Sequence, residues 1–412
     1  MTVRTTPQRT SQAGLFGLLF VANTAMFAVY FGVGQVLVQS AIAAADPVNK
    51  VANAGLVAGV SAIFATLFNP IGGALSDRTH FRFGRRNPWL LGGALAAFAA
   101  LWFLGTASTI IVILVAWSIA QAMMNLFQAA LTAIVPDRVP RELRGTASAV
   151  AGIATSVGAI VGTQVAAAYV GSIAGYLLLG AGVVASAVLL VLFSRDPRPG
   201  EYEVVVKERR SPLAALANFV SALKHRDFMW VFIGRALMVL SYFMVLMFQL
   251  YILQDYIDLP AGVTAVGGVA TLTLINTATS VVATLIGGPL ADKLQRYRMF
   301  VFIASAITAL AMAILLLSPT WTGMMIFAAV NGVGFGAYMA VDTALVTLVL
   351  PNPENAARDM GVLNVANAGP QMIAPLAAAF FIGLGGYPTL FIASIVVAIL
   401  GALTVLRVKT VR

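Results

Sequence analysis

Long apolar segments follow one another along the whole chain, separated by short polar loops. Each is long enough to cross a hydrocarbon layer of about 30 Å as an α-helix. Only 10% of the residues are charged, whereas soluble domains carry roughly 25%, so the chain cannot cover a water-facing surface. The sequence therefore predicts an all-α membrane protein. We assign twelve transmembrane helices, approximately 14–41, 51–75, 87–106, 109–135, 145–170, 174–194, 228–254, 263–290, 299–318, 322–350, 360–383 and 387–407.

The second half of the chain repeats landmarks of the first. The stretch GGALSD at 72–77 recurs 215 positions later as GGPLAD at 287–292, and Pro136 and Pro351 keep the same spacing. Two matches at one offset indicate an internal duplication. The sequence therefore predicts two six-helix bundles, 1–194 and 228–412, joined by a polar linker at 195–227.

Basic residues are confined to alternate loops. Of the 25 lysines and arginines, all but Lys50 and Arg235 lie at the termini, in the linker or in the loops on the same side. Basic loops stay in the cytoplasm, so we expect a plasma-membrane protein with both termini cytoplasmic. The net charge of +10 then reflects orientation and contact with membrane lipids rather than nucleic acid. With no cysteine and no carboxylate cluster, we expect no metal and no cofactor.

Polar side chains inside the apolar segments recur at helical spacing. Each is expensive in hydrocarbon and must face protein or water. The pattern predicts a polar cavity walled by the first, fourth, seventh and tenth helices, with the eleventh contributing. Amides both donate and accept, which suits a ligand with many hydroxyl groups, while hydrogen bonding between helices is the alternative. The predicted cavity residues are Gln35, Gln39, Gln121, Asn125, Gln128, Tyr242, Gln249, Asn331, Tyr338, Asn364, Asn367 and Gln371.

Asp342 and Arg235 are charges placed deep in apolar segments. Asp342 lies nine positions before Pro351, about 13 Å from the helix end, and Arg235 lies about 12 Å in from Asp227. Burial favours the neutral carboxyl and a nearby arginine favours the ionised one, so a proton would release the pair. We therefore assign Asp342 and Arg235 to proton coupling. A static ion pair between the seventh and tenth helices is the alternative.

The loop after the second helix combines a glycine pair, which we expect to end that helix, with an aspartate and clustered arginines. Carboxylates at helix ends that face arginines form a latch on the cytoplasmic side, and simple topology-setting charge is the alternative. The duplicated spacing favours the latch, and it extends the prediction to the loop between Asp292 and Arg298. The predicted gate residues are Gly73, Asp77, Arg78, Gly84, Arg85, Arg86 and Asp292.

These motifs resemble the major facilitator superfamily over essentially the whole chain. Gly73, Asp77-Arg78 and Gly84-Arg85-Arg86 match its common loop signature, and the expanded form SDRTHFRFGRRNPW is similar to sucrose transporters and related glycoside–cation symporters. The segments Met360–Gln371 and Asn125–Asp137 resemble the same group. In one departure, Gln121 stands where plant-type sucrose transporters carry a proton-binding aspartate.

Together these features predict a secondary transporter that works by alternating access. We expect a monomer that carries a sugar or glycoside together with a proton. We expect a proton rather than sodium, because a sodium site needs more ligands than one buried carboxylate. An exporter of drug-like molecules is the rival within transport. An intramembrane enzyme is the rival from another class, but the apolar segments offer no nucleophile with a base, so we expect no enzyme.

Overall fold

The computed structural model describes residues 11–79, 81, 84–194, 196, 223–349 and 356–408. These residues are almost entirely helical, as expected where lipid cannot satisfy backbone hydrogen bonds. Polar caps mark several helix starts: the hydroxyls of Ser11, Ser172, Thr264 and Thr320 each accept a hydrogen bond from a backbone N–H in the first turn. The predicted all-α fold is confirmed.

Within the described residues, twelve membrane helices follow the predicted order, and we number them α1 to α12. The last two run together within Ala356–Val405, where non-helical backbone at Gly385 and Gly386 separates 356–384 (α11) from 387–405 (α12). The others are α1 Gln12–Ala45, α2 Lys50–Arg78, α3 Asn87–Leu104, α4 Ile110–Arg138, α5 Arg144–Ala168, α6 Ile173–Phe193, α7a Arg226–Leu246 with α7b Gln249–Asp255, α8 Ala265–Leu294, α9 Tyr297–Leu317 and α10 Trp321–Leu348.

The chain divides into two compact units, Met1–Val205 and Val206–Arg412. In the first, α2 and α3 pack on α4 and α1 packs on α5; in the second, α8 and α9 pack on α10 and α7a packs on the α11–α12 stretch. The same pairing recurs in both units, as internal duplication requires. The domain limits 1–194, 195–227 and 228–412 stay predictions, because 197–222 lies outside the described residues.

Both units interrupt their first helix. In α1 the backbone is π-helical over Val29–Leu37, and in the second unit a break at Met247 and Phe248 separates α7a from α7b. Short π-helical stretches occur frequently at functional sites, and irregular backbone at membrane depth is tolerated only where protein or a cavity surrounds it. The two interruptions therefore indicate candidate functional positions, with Gln35 inside the first and Gln249 directly after the second.

One prediction about helix ends was wrong. The glycine pair Gly72–Gly73 does not end α2, which continues as a helix through Asp77 to Arg78. The equivalent pair Gly287–Gly288 likewise lies inside α8, which ends at Leu294. Glycine weakens a helix in water, but in hydrocarbon the backbone has no other hydrogen-bond partners, so the helix continues until charged residues reach the membrane surface.

Candidate functional site

A buried charged pair joins α7a and α10 in the second unit. Arg235 Nη1 lies 3.3 Å from Asp342 Oδ2, and the two side chains are only 11% and 2% exposed. The other carboxylate oxygen, Asp342 Oδ1, accepts a hydrogen bond from the Tyr338 hydroxyl at 2.9 Å. Tyr338 lies one turn before Asp342 on α10 and is itself buried. The carboxylate is thus held by one cation and one neutral donor.

A second set of hydrogen bonds joins the same two helices. The Tyr242 hydroxyl donates to Asn276 Oδ1 at 3.1 Å, and Asn276 Nδ2 donates to the backbone carbonyl of Ala328 at 3.2 Å. The Tyr242 ring stacks on Phe335, with the ring centroids 3.9 Å apart. This arrangement links α7a, α8 and α10, and it covers one face of the ring that we expected to contact a sugar.

In the first unit, two neighbouring helices form hydrogen bonds with the polar stripe of α4, which consists of the predicted cavity residues Gln121, Asn125 and Gln128. The Tyr30 hydroxyl, in the π-helical part of α1, donates to Gln128 Oε1 at 3.0 Å. Asn69 Nδ2 of α2 donates to Asn125 Oδ1 at 3.4 Å, and Asn125 donates to the backbone carbonyl of Gln121 at 2.9 Å. Part of the predicted cavity stripe therefore serves hydrogen bonding between helices.

The remaining predicted cavity residues fall into two groups by exposure. Gln35, Gln39, Gln249 and Asn331 are buried, with exposed fractions from 2% to 6%. Gln121 is half-buried on α4, and so are Asn367 and Gln371 on α11. The side chain of Asn364 lies outside what the structure describes.

The predicted gate motif of the first unit forms a network around Arg86. Its Nη2 lies 2.7 Å from Asp77 Oδ1, its Nε donates to Asp137 Oδ2 at 2.9 Å, and its Nη1 donates to the Ser76 hydroxyl. Arg85 Nη2 lies 2.7 Å from the same Asp137 oxygen. The Arg86 side chain is only 5% exposed, whereas Asp77 is 54% exposed. The buried guanidinium thus connects the ends of α2 and α4.

Asp196 extends this network. Its Oδ2 accepts backbone hydrogen bonds from Arg86 and Asn87 at 2.5 and 3.0 Å, and its Oδ1 lies 2.9 Å from Arg138 Nη2. Gly84 packs against the Asp196 carboxyl with φ of 105°, so a side chain there would be both strained and in collision. Of the other predicted gate residues, Arg78 is exposed in the last turn of α2.

The duplicated loop of the second unit pairs differently from our expectation. Asp292 Oδ1 accepts a hydrogen bond from the Tyr297 hydroxyl at 3.0 Å, while Arg298 Nη1 donates to the backbone carbonyl of Val408 at 2.8 Å. Asp292 therefore faces a neutral phenol where the first unit has an arginine. Among the residues that the structure describes, the duplicated motif therefore does not repeat the charge pairing of the first unit.

Several residues of these networks escaped sequence reasoning. Asp137, Arg138 and Asp196 were assigned to loops, although an aspartate–arginine pair at a helix end is itself a signal for such a network. Asn69 and Asn276 are amides within apolar segments, which is the signal that identified the α4 stripe. The described residues contain no group of three or more side chains able to hold a metal ion.

Eleven helices of the described part, counting the α11–α12 stretch as one, are long and apolar enough to span a membrane. The chain is thus an integral multi-pass membrane protein. Its sequence matches the model of the Major Facilitator Superfamily over residues 15–276 and again over 262–412. The chain belongs to this superfamily and is a membrane transporter, not an enzyme.

One curated relative is named as an uncharacterized symporter, sll1374, from Synechocystis sp., and is 41% identical over 83 residues. That match covers 20% of this chain and only 13% of the relative. A POT family transporter in complex with 5-aminolevulinic acid is similar with a TM-score of 0.75 and 15% identity, covering 98% of both chains. A mutant of the nucleoside transporter NupG also has a TM-score of 0.75, with 13% identity, covering 95% of this chain and 98% of its own. At such identities the structures show the fold alone.

Proposed function

We propose that this transporter couples the uptake of a sugar or glycoside to a proton, by alternating access. The observation that carries the proposal is the buried carboxylate of Asp342, paired with Arg235 across two helices. An intramembrane charge is costly, so it usually marks a functional site, and proton relays are one such function. The symporter name of the Synechocystis relative supports coupled transport in the same direction.

Asp342 supplies the coupling because its charge decides whether α7a and α10 attract each other. In the ionised state the carboxylate holds both the Arg235 guanidinium and the Tyr338 hydroxyl. A proton on the carboxylate cancels the ionic attraction and leaves only a neutral hydrogen bond. Proton and solute then act on one conformational equilibrium, each through its different affinity for the two states.

The solute class follows from the amides. Glutamine and asparagine side chains both donate and accept hydrogen bonds, so they can serve every hydroxyl of a sugar. Gln121, Asn367 and Gln371 remain partly exposed on their helices, where a solute can reach them. Sodium coupling is less suited to this chain, because a sodium site wants several oxygen ligands and Asp342 is a single carboxylate.

The remaining parts of the proposal concern the setting. We place both chain termini and the Arg86 network on the cytoplasmic side of the plasma membrane, where the network acts as a latch within the first unit. The functional unit is a monomer, which works without cofactor or metal. An exporter of drug-like compounds is the alternative that the test below separates.

The test is uptake of labelled glucose, galactose, sucrose, maltose and melibiose into proteoliposomes, with and without an inward proton gradient. We expect one sugar to accumulate with the gradient, and Asp342→Asn to equilibrate that sugar without accumulating it. Asp258→Asn, which removes an exposed carboxylate between α7b and α8, is the matched control and should accumulate normally.

Two results would contradict the proposal. If no sugar moves faster than into empty liposomes, the sugar assignment fails, and a panel of drug-like compounds becomes the next test. If Asp342→Asn accumulates sugar as well as the wild type does, Asp342 is only a structural partner of Arg235.

A further inference from the structure

Several buried oxygen atoms of the second unit remain outside the networks described above, and three of them belong to Gln249, Thr273 and Asn331. Gln249, Thr273 and Asn331 are 4%, 8% and 2% exposed. In each, a side-chain oxygen (Oε1, Oγ1 and Oδ1, respectively) has no hydrogen-bond partner among the described residues. Buried polar atoms are nearly always paired in proteins, so each of these calls for an explanation.

Two contacts bracket Gln249 and Thr273 along the packed helices α7 and α8. A side chain at Gly268 of α8 would meet Leu253 of α7b, and further along, Tyr242 of α7a donates its hydroxyl to Asn276 of α8. The two helices run in opposite directions, because a short connection joins them. Gln249 lies between Tyr242 and Leu253, and Thr273 lies between Gly268 and Asn276. Both residues therefore lie in the layer that these two contacts bound.

Asn331 joins this layer through Asn276. The side-chain amide of Asn276 donates to the backbone carbonyl of Ala328, and the backbone carbonyl of Asn276 lies against Gly332. Asn331 is the residue immediately before Gly332, one turn on from Ala328. Thr273 is likewise one turn before Asn276 on α8. Asn276 thus links the helices that carry the three oxygens, and its own side-chain amide is already used by Tyr242 and Ala328.

The position of Gln249 has a counterpart in the first unit. Gln249 opens α7b directly after the helix break, and Gln35, 214 positions earlier, lies within the π-helical part of α1. Gln35 is 4% exposed, and its Nε2 also has no partner among the described residues. Each unit thus has a buried glutamine at the interruption of its first helix.

We propose that Gln249, Thr273 and Asn331 form a subsite that binds hydroxyl groups of the transported sugar within the second unit. This inference rests on the proposed function and assigns part of the solute recognition to α7b, α8 and α10. The amide oxygens accept hydrogen bonds from sugar hydroxyls, and the Thr273 hydroxyl accepts or donates. Asn276 is a positioning residue, because its bonds to Tyr242 and Ala328 hold the layer together.

The test uses the full-length protein and the labelled sugar of the uptake panel that gives the fastest transport. Its KM is measured for Thr273→Val and Asn331→Leu, and we expect increases of about three- to tenfold, the value of one lost hydrogen bond. Thr273→Ser keeps the hydroxyl and should retain the wild-type KM. Thr284→Val is the matched control, because the Thr284 hydroxyl of α8 already donates a hydrogen bond to the Gly336 carbonyl of α10.

Thermal unfolding without sugar separates binding from structure. Replacing an unpartnered buried hydroxyl by a methyl group removes a desolvation cost, so Thr273→Val should melt no lower than the wild type. Thr284→Val breaks a formed hydrogen bond and should melt lower with unchanged KM. If Asn331→Leu does not fold, the comparison of Thr273→Val with Thr273→Ser decides alone.

Two outcomes would overturn the subsite, and they are distinguishable. If the wild type transports a sugar but Thr273→Val keeps the wild-type KM, only the subsite fails; a lower melting temperature of that variant would assign the Thr273 hydroxyl to structure. If the wild type transports no sugar of the panel, the proposed function fails and the subsite fails with it.

Discussion

Removing Arg235 and Asp342 together should destabilise the protein by clearly less than the sum of the two single losses. The pair is separated by 3.3 Å and its side chains are 11% and 2% exposed, so little solvent screens the charge that is left. Deleting one partner of a buried pair costs about 3–5 kcal/mol. The Tyr338 hydroxyl still donates to the carboxylate and lowers this cost, so we expect about 3 kcal/mol for Arg235→Met.

In the double variant, Arg235→Met with Asp342→Asn, neither charge of the buried pair remains. We expect it to recover about 2 kcal/mol relative to the sum of the two single losses, well above the roughly 0.5 kcal/mol scatter of independent sites. The assay is denaturant unfolding of the purified protein in mixed micelles at neutral pH, with all four variants measured in parallel. Additive losses would refute the argument, because they would mean that the two charges do not depend on each other.

Three further predictions concern other parts of the chain. Arg86→Ala should cost about 2 kcal/mol of stability because it strips a buried guanidinium from two carboxylates, whereas Arg85→Ala should cost under about 1 kcal/mol, and equal melting temperatures would contradict this. Gly162→Ala should lower expression of folded protein, because its Cβ would collide with the α1 backbone, whereas Gly152→Ala has open space and should be neutral or better by about 0.5 kcal/mol. The hydrogen bonds that Asp46 accepts, above all from the Asn49 backbone, hold the pKa of Asp46 below its ordinary value. The contribution of Asp46 to stability is therefore complete above the ordinary pKa and is lost as the pH falls through the lowered pKa. The melting curves of Asp46→Asn and wild type should converge on acidification, and a constant gap would contradict this.

The sequence predicted the architecture because membrane helices are specified by the length of apolar runs. The turn between α11 and α12 was placed at 384–386, and the helical backbone is interrupted there, at Gly385 and Gly386. The interruption of α1 was not predicted, since Val29–Leu37 lies inside one long, predominantly apolar segment. A π-helical stretch reflects packing against neighbouring helices, such as the contact of Gly32 with Gly162, and leaves no mark on hydropathy.

The candidate site was predictable in its residue types and less so in its partners. Depth along the helix located Asp342 and Arg235, and the structure brings these two side chains together. The role of Asn276 could not be derived, because it depends on three helices meeting at one level. Likewise, the repeat placed Asp292 opposite an arginine by analogy with Asp77, whereas packing gave it Tyr297.

The most direct test of proton-coupled sugar transport is the movement of protons driven by the sugar alone. Proteoliposomes loaded with a pH-sensitive dye receive an inwardly directed gradient of the transported sugar, with no imposed pH difference. We predict acidification of the interior with the wild type, and sugar entry without acidification for Asp342→Asn. Sugar entry into wild-type proteoliposomes at constant internal pH would contradict the account.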